Sequence, residues 1–468
     1  MDAKYTKLVK NTAIFSIGEF ANKILSFLIV PLYTYVLTTE EYGRIDLFMT
    51  SINFILPVIT LQIQEAMLRF VLGKEIDQET ASSNCWLVFL MGTVVSAALF
   101  PGYYSLFQDK RLAVLFIIQV AATSFNDIFS SFLRAIGKVL EYTAKSVLVT
   151  IINLSCNVLF VLILRKGVYG YLYASLISQV FGIGYLMIVG KLYPMVNLKR
   201  VDKRALSNMI RYSVPMIPNT LMWWIMSAGD KYIINYYLGD GANGLFSLAQ
   251  KIPAIISIFY SFFSQAWQMS SIEEHNSEDA QSFYQQVYNT TNAALMLLVT
   301  GIVLFVKPLY TIVMSDQFAV AWAYVPTLAL ATAFNCRASF FGVVYTTTKR
   351  TGKAFSTTAV GAVTNVFLNF VMIRFWGLQG VAVATALGYV AVVLMRARDA
   401  KPEMRIHFDL KRQLLSIAVI VLQIVAKLRS DALVSWIGMI CVLIQLMLYR
   451  EELLKIVLVI KARILKKR

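Results

Sequence analysis

Long apolar stretches recur along the whole chain, and this pattern limits what it can fold into more than any other. Each stretch reaches the roughly 18–20 residues that a helix needs to cross a bilayer at 1.5 Å per residue. A membrane-spanning barrel would show short alternating segments instead. The 468 residues are 58% hydrophobic and 15% charged, with a mean hydropathy of +0.64. A soluble domain is nearer half apolar and a quarter charged. The expected fold class is an all-α polytopic membrane protein. About fourteen spans are read at 13–37, 42–72, 82–107, 111–135, 141–164, 168–192, 208–238, 242–272, 283–306, 319–345, 354–375, 378–396, 412–428 and 432–449. The break at Trp376-Gly377 is the shortest of these connections. The first apolar run is too long for a cleaved signal peptide and reads as an uncleaved anchor.

The net charge of +17 would point to nucleic acid in a soluble protein. Here it fits topology. With the N-terminus inside, most of the 43 Lys and Arg residues fall on the inner side, so both termini are expected in the cytoplasm. One predicted inner loop, with Glu273, Glu274, Glu278 and Asp279, lacks basic residues, but acids weigh little in this rule. Cys85, Cys156, Cys336 and Cys441 are scattered through apolar segments and read as packing residues, and His275 and His407 lie far from them. Neither a metal site nor a nucleic-acid partner is expected.

Two internal echoes organise the chain. Leu37-Thr-Thr-Glu-Glu-Tyr-Gly43 returns as Leu238-Gly-Asp-Gly-Ala-Asn-Gly244. Asn153-Leu-Ser-Cys-Asn157 and Gly167-Val-Tyr-Gly170 return as Asn365-Val-Phe-Leu-Asn369 and Gly377-Leu-Gln-Gly380. An offset of about 210 residues holds six spans, an even number, so the halves run parallel with the substrate route between them. The expected layout is a six-helix lobe at 1–200, a second at 201–400, and an extra helix pair with a basic tail at 401–468. That tail mixes Leu, Ile and Val with Lys461, Arg463, Lys466, Lys467 and Arg468, and reads either as an interfacial helix or as a plain topology-fixing tail.

No nucleotide-cradling loop, metal-binding cluster or nucleophile elbow is present, so the chain is not expected to be an enzyme and needs no cofactor. What stands out is charge inside spans, which costs roughly 2.5–3.5 kcal/mol at the bilayer centre and therefore faces protein or water. In the first span, Glu19 and Lys23 are spaced i, i+4 ahead of Pro31, where a bend is expected. Asp230 and Lys231 sit on the seventh span, Lys251 on the eighth two residues before Pro253, and Arg337 on the tenth. Asp127 lies on the fourth span, and Glu65 with Arg69 on the second reads as a surface pair. The cations either have private acid partners or line a hydrated cavity that attracts negative charge. In a half-wet site a cation 4 Å from a phosphate oxygen gains roughly 4 kcal/mol. Trp223, Trp224, Tyr236, Tyr260 and Trp267 either read sugar or belong to the core and interface belts.

The stretch KILSFLIVPLYTYVLTTEEYGRIDLF, the stretch GDKYIINYYLGDGANGLFSLAQKIP and the paired Asn and Gly-x-x-Gly segments together resemble the polysaccharide transporter family of the multidrug/oligosaccharidyl-lipid/polysaccharide exporter superfamily, the Wzx-type flippases. The resemblance covers essentially the whole chain. It implies two six-helix lobes around a cavity, and passage of an undecaprenyl-pyrophosphate-linked oligosaccharide out of the cytoplasmic leaflet for O-antigen, capsule or another surface polysaccharide. Related lipid II flippases carry cavity arginines on helices 1, 2 and 8. Lys23 and Lys251 fall at matching places, whereas no basic residue occurs around Phe54 to Pro57 and Arg337 is the candidate substitute. Lys23, Lys251, Arg337 and Lys231 are thus the implied pyrophosphate-binding set. Glu19, Asp127 and Asp230 are the acids for H+ or Na+ coupling. Implied partners are the lipid-linked glycan, membrane lipid, and a glycan polymerase or chain-length regulator. Two alternatives stay open: a cation-coupled multidrug exporter of the sister MATE family, and a scaffold that holds a polymerase.

Overall fold

The computed structural model describes residues 20, 22–190, 192, 200–274, 277–348, 350–429 and 432–454. Among these residues the regular structure is helical, with no strand. Glu19, His275 and the basic tail beyond residue 454 lie outside them. The chain divides into two compact units, Met1–Trp224 and Ile225–Arg468.

The first unit holds α1 (Asn22–Val36), α2 (Thr39–Ile59), α3 (Ile63–Leu72), α4 (Gln78–Ala98), α5 (Phe100–Phe107), α6 (Lys110–Ala135), α7 (Val139–Ile163), α8 (Gly167–Ile188), α9 (Lys203–Ser213) and the start of α10 (Ile217–Ala228). Local chemistry sets many of these boundaries. Pro31 cannot bond to the Phe27 carbonyl, and α1 is interrupted at Ile29, where the sequence places its bend. Thr38 and Glu41 form a reciprocal capping box that opens α2. Asp77, Asp109 and Asp202 each accept backbone N–H bonds at the starts of α4, α6 and α9.

The second expected span is not straight. Leu61 and Gln62 adopt left-handed backbone angles (φ 50 and 52), and α2 and α3 meet at 55°. Gln62 then donates through Nε2 to Thr220 Oγ1 at 2.7 Å. The expected Glu65–Arg69 pair is also replaced. Lys74, with φ 57, folds the chain back at the end of α3 and brings Glu75 to 2.7 Å from Arg69.

The second unit holds α11 (Asp230–Ala249), α12 (Lys251–Glu273), α13 (Ala280–Val313), α14 (Val325–Thr347), α15 (Thr351–Met404), α16 (Leu410–Arg429) and α17 (Ala432–Leu448). Eight described helices are long and apolar enough to cross a membrane, nine if the bent α2–α3 pair counts as one. Two of the eight run through glycine kinks, Gly239 (φ 81) and Gly377 (φ 54), and so each contains two of the expected spans. The pattern matches the all-α polytopic reading. Apolar side chains such as Leu28, Val94, Ile188, Phe375 and Leu414 are exposed around both units, while aromatic clusters fill their interiors. Trp267 is in such an interior: it donates Nε1 to the Phe340 carbonyl and stacks on that ring at 4.4 Å.

The second echo has the same structure in both units. Asn157 donates to Asn153 Oδ1 at 3.0 Å, and Asn369 to Asn365 Oδ1 at 3.2 Å. Asn153 continues to Ser178, and Asn365 to Thr385. Gly167 and Gly377 have φ of +53 and +54, a region that side-chain-bearing residues avoid. Three residues on, a Cβ at Gly170 or Gly380 would lie 2.9 or 2.2 Å from the carbonyl of Phe160 or Met372. The glycines therefore mark a shared helix-to-helix turn with close backbone approach.

Candidate functional site: a charged cavity in the first unit

Two consecutive helices carry polar residues at helical spacing. On α6 these are Asn126, Asp127, Ser130, Ser131 and Arg134; on α7 they are Tyr142, Lys145, Ser146 and Thr150. Residues three and four apart share one face of a helix. The turn at Gly137, with φ 78, reverses the chain between α6 and α7 so that the two polar faces meet. With Gln64 of α3, Gln179 of α8 and Val149 they enclose a cavity of about 320 Å³. Gly182 of α8 closes one side, where a Cβ would sit 2.5 Å from Asn126 Oδ1 and 3.2 Å from Lys145 Cε.

Lys145 is the buried charge of this site, with 7% of its surface exposed. Its Nζ donates to Ser130 Oγ at 2.7 Å, and Ser130 in turn donates to the Asn126 carbonyl. Asn126 is held in place by bonds from Nδ2 to the Ala122 and Gln179 carbonyls at 3.0 and 2.9 Å. Arg134 donates to Ser131 at 2.9 Å and lies 5.4 Å from the centroid of the Tyr142 ring. Asp127 opens into the cavity. Among the described residues no carboxylate lies within 4.0 Å of Lys145 Nζ. Asp127 and Lys145 thus line one cavity without closing on each other. At the rim, Asn22 of α1 donates to Ser146 at 2.7 Å.

Of the residues singled out from the sequence, Asp127 lines this cavity. Lys23 is half-buried on α1, next to Asn22, and Glu19 lies outside the described residues. Lys231, Lys251 and Arg337 belong to the second unit. Lys251 is half-buried at the start of α12, while Asp230 is buried close to Tyr389 at the start of α11. Arg337 is 4% exposed, donates to Asn292 Oδ1 and lies beside Tyr288 and Tyr449. None of these second-unit residues lines the apolar cavity of about 640 Å³ along α13.

Lys145 and Arg134 are the members that sequence reasoning missed, because basic residues near a span's end are counted as topology signals. The signal that finds them is the polar stripe shared by α6 and α7.

Comparison with known proteins places this architecture. Residues 8–268 match the family model described as polysaccharide biosynthesis protein. The chain is 24% identical over 221 residues to the probable low-salt glycan biosynthesis flippase Agl15 of Haloferax volcanii, a match that spans 46% of each protein and so less than half of that relative. Its fold is similar to the lipid II flippase MurJ in an inward closed conformation, with a TM-score of 0.71 and 16% identity over 94% of this chain and 98% of that one. It is also similar to an inward-facing multidrug resistance MATE family transporter of the MOP superfamily, with a TM-score of 0.67 and 17% identity over 84% and 96% of the two chains. The fold is therefore that of MOP-type transporters, and since the family model covers more than half of the sequence, the chain belongs to the polysaccharide biosynthesis protein family.

Proposed function

We propose that this protein is a flippase that moves undecaprenyl-pyrophosphate-linked oligosaccharide repeat units across the cytoplasmic membrane by alternating access, for assembly of O-antigen, capsule or another surface polysaccharide. The observation that carries the reading is a charged, polar cavity built by apolar helices of a polysaccharide biosynthesis family member. A charge among such helices is costly unless protein or a polar ligand faces it. The glycan biosynthesis flippase and the lipid II flippase that it resembles support the same class. Transport rather than catalysis is the activity.

In this reading residues 1–200 and 201–400 act as two lobes, and 401–468 as an added helix pair. Lys23, Lys251 and Lys231 supply positive charge to the pyrophosphate, while Arg337, the fourth cation of that set, is enclosed by Asn292, Tyr288 and Tyr449 and acts on the fold. Coupling to H+ or Na+ falls to Glu19, Asp127 or Asp230, although the two cations beside Asp127 weigh against a sodium ion there. Both termini lie in the cytoplasm of a cell whose inner membrane holds the protein, and a glycan polymerase or chain-length regulator is the partner. The cavity, with two cations to one carboxylate, weighs against a multidrug exporter for cationic compounds.

Purified protein in liposomes is expected to move a labelled lipid-linked oligosaccharide between leaflets without other proteins; no movement would refute the reading. In cells, Lys23→Glu and Lys251→Glu are expected to abolish surface glycan while the protein still inserts, and normal glycan from both would remove these residues from the route. Tags at either end should be digested only after the membrane is opened.

A further inference from the structure

We propose that the cavity between α6 and α7 receives the sugar part of the cargo and selects a sugar that bears one negative charge, of the uronic acid type. This rests on the flippase reading and names the substrate class of the same site. Its lining is chemically suited to a hydroxylated ligand. Val149 is the one wholly apolar side chain there, and the others offer hydroxyls, amides, a phenol and charges. A volume of about 320 Å³ is at the small end for ligand pockets, which suits one small polar group.

The charge balance specifies the rest. The titratable groups on the cavity wall are Asp127 and Arg134 from α6 and Tyr142 and Lys145 from α7, while α3 and α8 contribute only glutamines. With both cations charged and Asp127 ionised, the wall carries one positive charge in excess. A Lys ammonium has three donors, and the buried Lys145 places one of them on Ser130. No other acceptor for it occurs among the described residues. Leaving buried polar groups unmet is costly. A sugar carboxylate would meet the free donors of Lys145 and cancel the excess charge, and its ring hydroxyls would serve Asp127. A pyrophosphate carries more charge than the wall balances and brings no hydroxyl donors.

The test is a titration of the full chain in lipid nanodiscs, read by saturation-transfer NMR, with glucuronate, glucose and inorganic pyrophosphate at millimolar concentrations. Glucuronate is expected to bind at least tenfold more tightly than glucose, and to outcompete pyrophosphate. Lys145→Met should reduce glucuronate affinity at least tenfold. Because that variant can misfold, Asp127→Asn gives a second reading: removing the negative charge should tighten glucuronate binding severalfold. Equal binding of glucuronate and glucose, absence of glucuronate binding to the wild type, preference for pyrophosphate, or an Asp127→Asn variant that weakens glucuronate binding would each overturn the proposal. Liposome transport of a neutral lipid-linked glycan is scored separately. Flipping without uronate preference overturns this inference alone, whereas uronate binding without flipping overturns the transport reading.

Discussion

At the scale of single residues, burial separates charges that span prediction treats alike. Arg337 and Lys145 both lie deep inside a unit, but their surroundings differ. Arg337 is walled by Asn292, Tyr288 and Tyr449, and Asn292 donates onward to Tyr449 at 3.1 Å. Removing its guanidinium leaves the buried Asn292 Oδ1 unmet, so Arg337→Met is expected to cost about 1–3 kcal/mol, read as a lower thermal midpoint in detergent. Lys145 instead faces open space, and its loss should act on the cargo. Among the surface acids, the Asp77 carboxyl is held below the usual range chiefly by its bond with Thr80 at the start of α4. A carboxyl with a lowered folded pKa adds stability above its unfolded pKa and loses it as pH falls through the folded one. Asp77→Ala should therefore cost about 1 kcal/mol at neutral pH and make little difference once the pH is below both values, as shown by thermal melts across pH. The apolar spacing announced each helix, but which cation meets a cavity depended on how the helices rotate against each other.

At the scale of elements, a proline inside one helix is met by a side chain from another. Pro308 inside α13 has no N–H for the Leu304 carbonyl four residues earlier. Lys427, from α16, donates to that carbonyl at 3.1 Å, and Gln423 one turn before donates to Thr300 at 3.2 Å. The extra helix pair is thus docked on α13 by polar bonds to its backbone. Such bonds between membrane helices contribute on the order of 0.6–2 kcal/mol. Lys427→Met is expected to lower thermal stability and expose the C-terminal helices to protease, and Pro308→Ala should relieve part of that loss by returning the carbonyl its own partner. Equal losses in both backgrounds would show that Lys427 acts elsewhere. Pro308 and Lys427 are both visible in the sequence, but their meeting is not, because more than a hundred residues separate them.

At the scale of the molecule, the two units share one construction. Asn157 and Asn369 are fully buried and bond to an asparagine one turn earlier, so Asn157→Ala and Asn369→Ala should each cost about 1 kcal/mol. Thermal melts that show a loss in only one of them would argue against a common role. The echo was legible because both copies keep the same residue types at the same spacing, with glycines where the backbone turns left-handed. Helix content, span positions and the repeat follow from the sequence alone, since apolar length, caps and glycine angles are local properties. The 55° break between α2 and α3, the Arg69–Glu75 pair and the cavity around Lys145 were decided only by tertiary structure. They depend on which helix faces pack together, and the periodicity of one helix does not specify its neighbours.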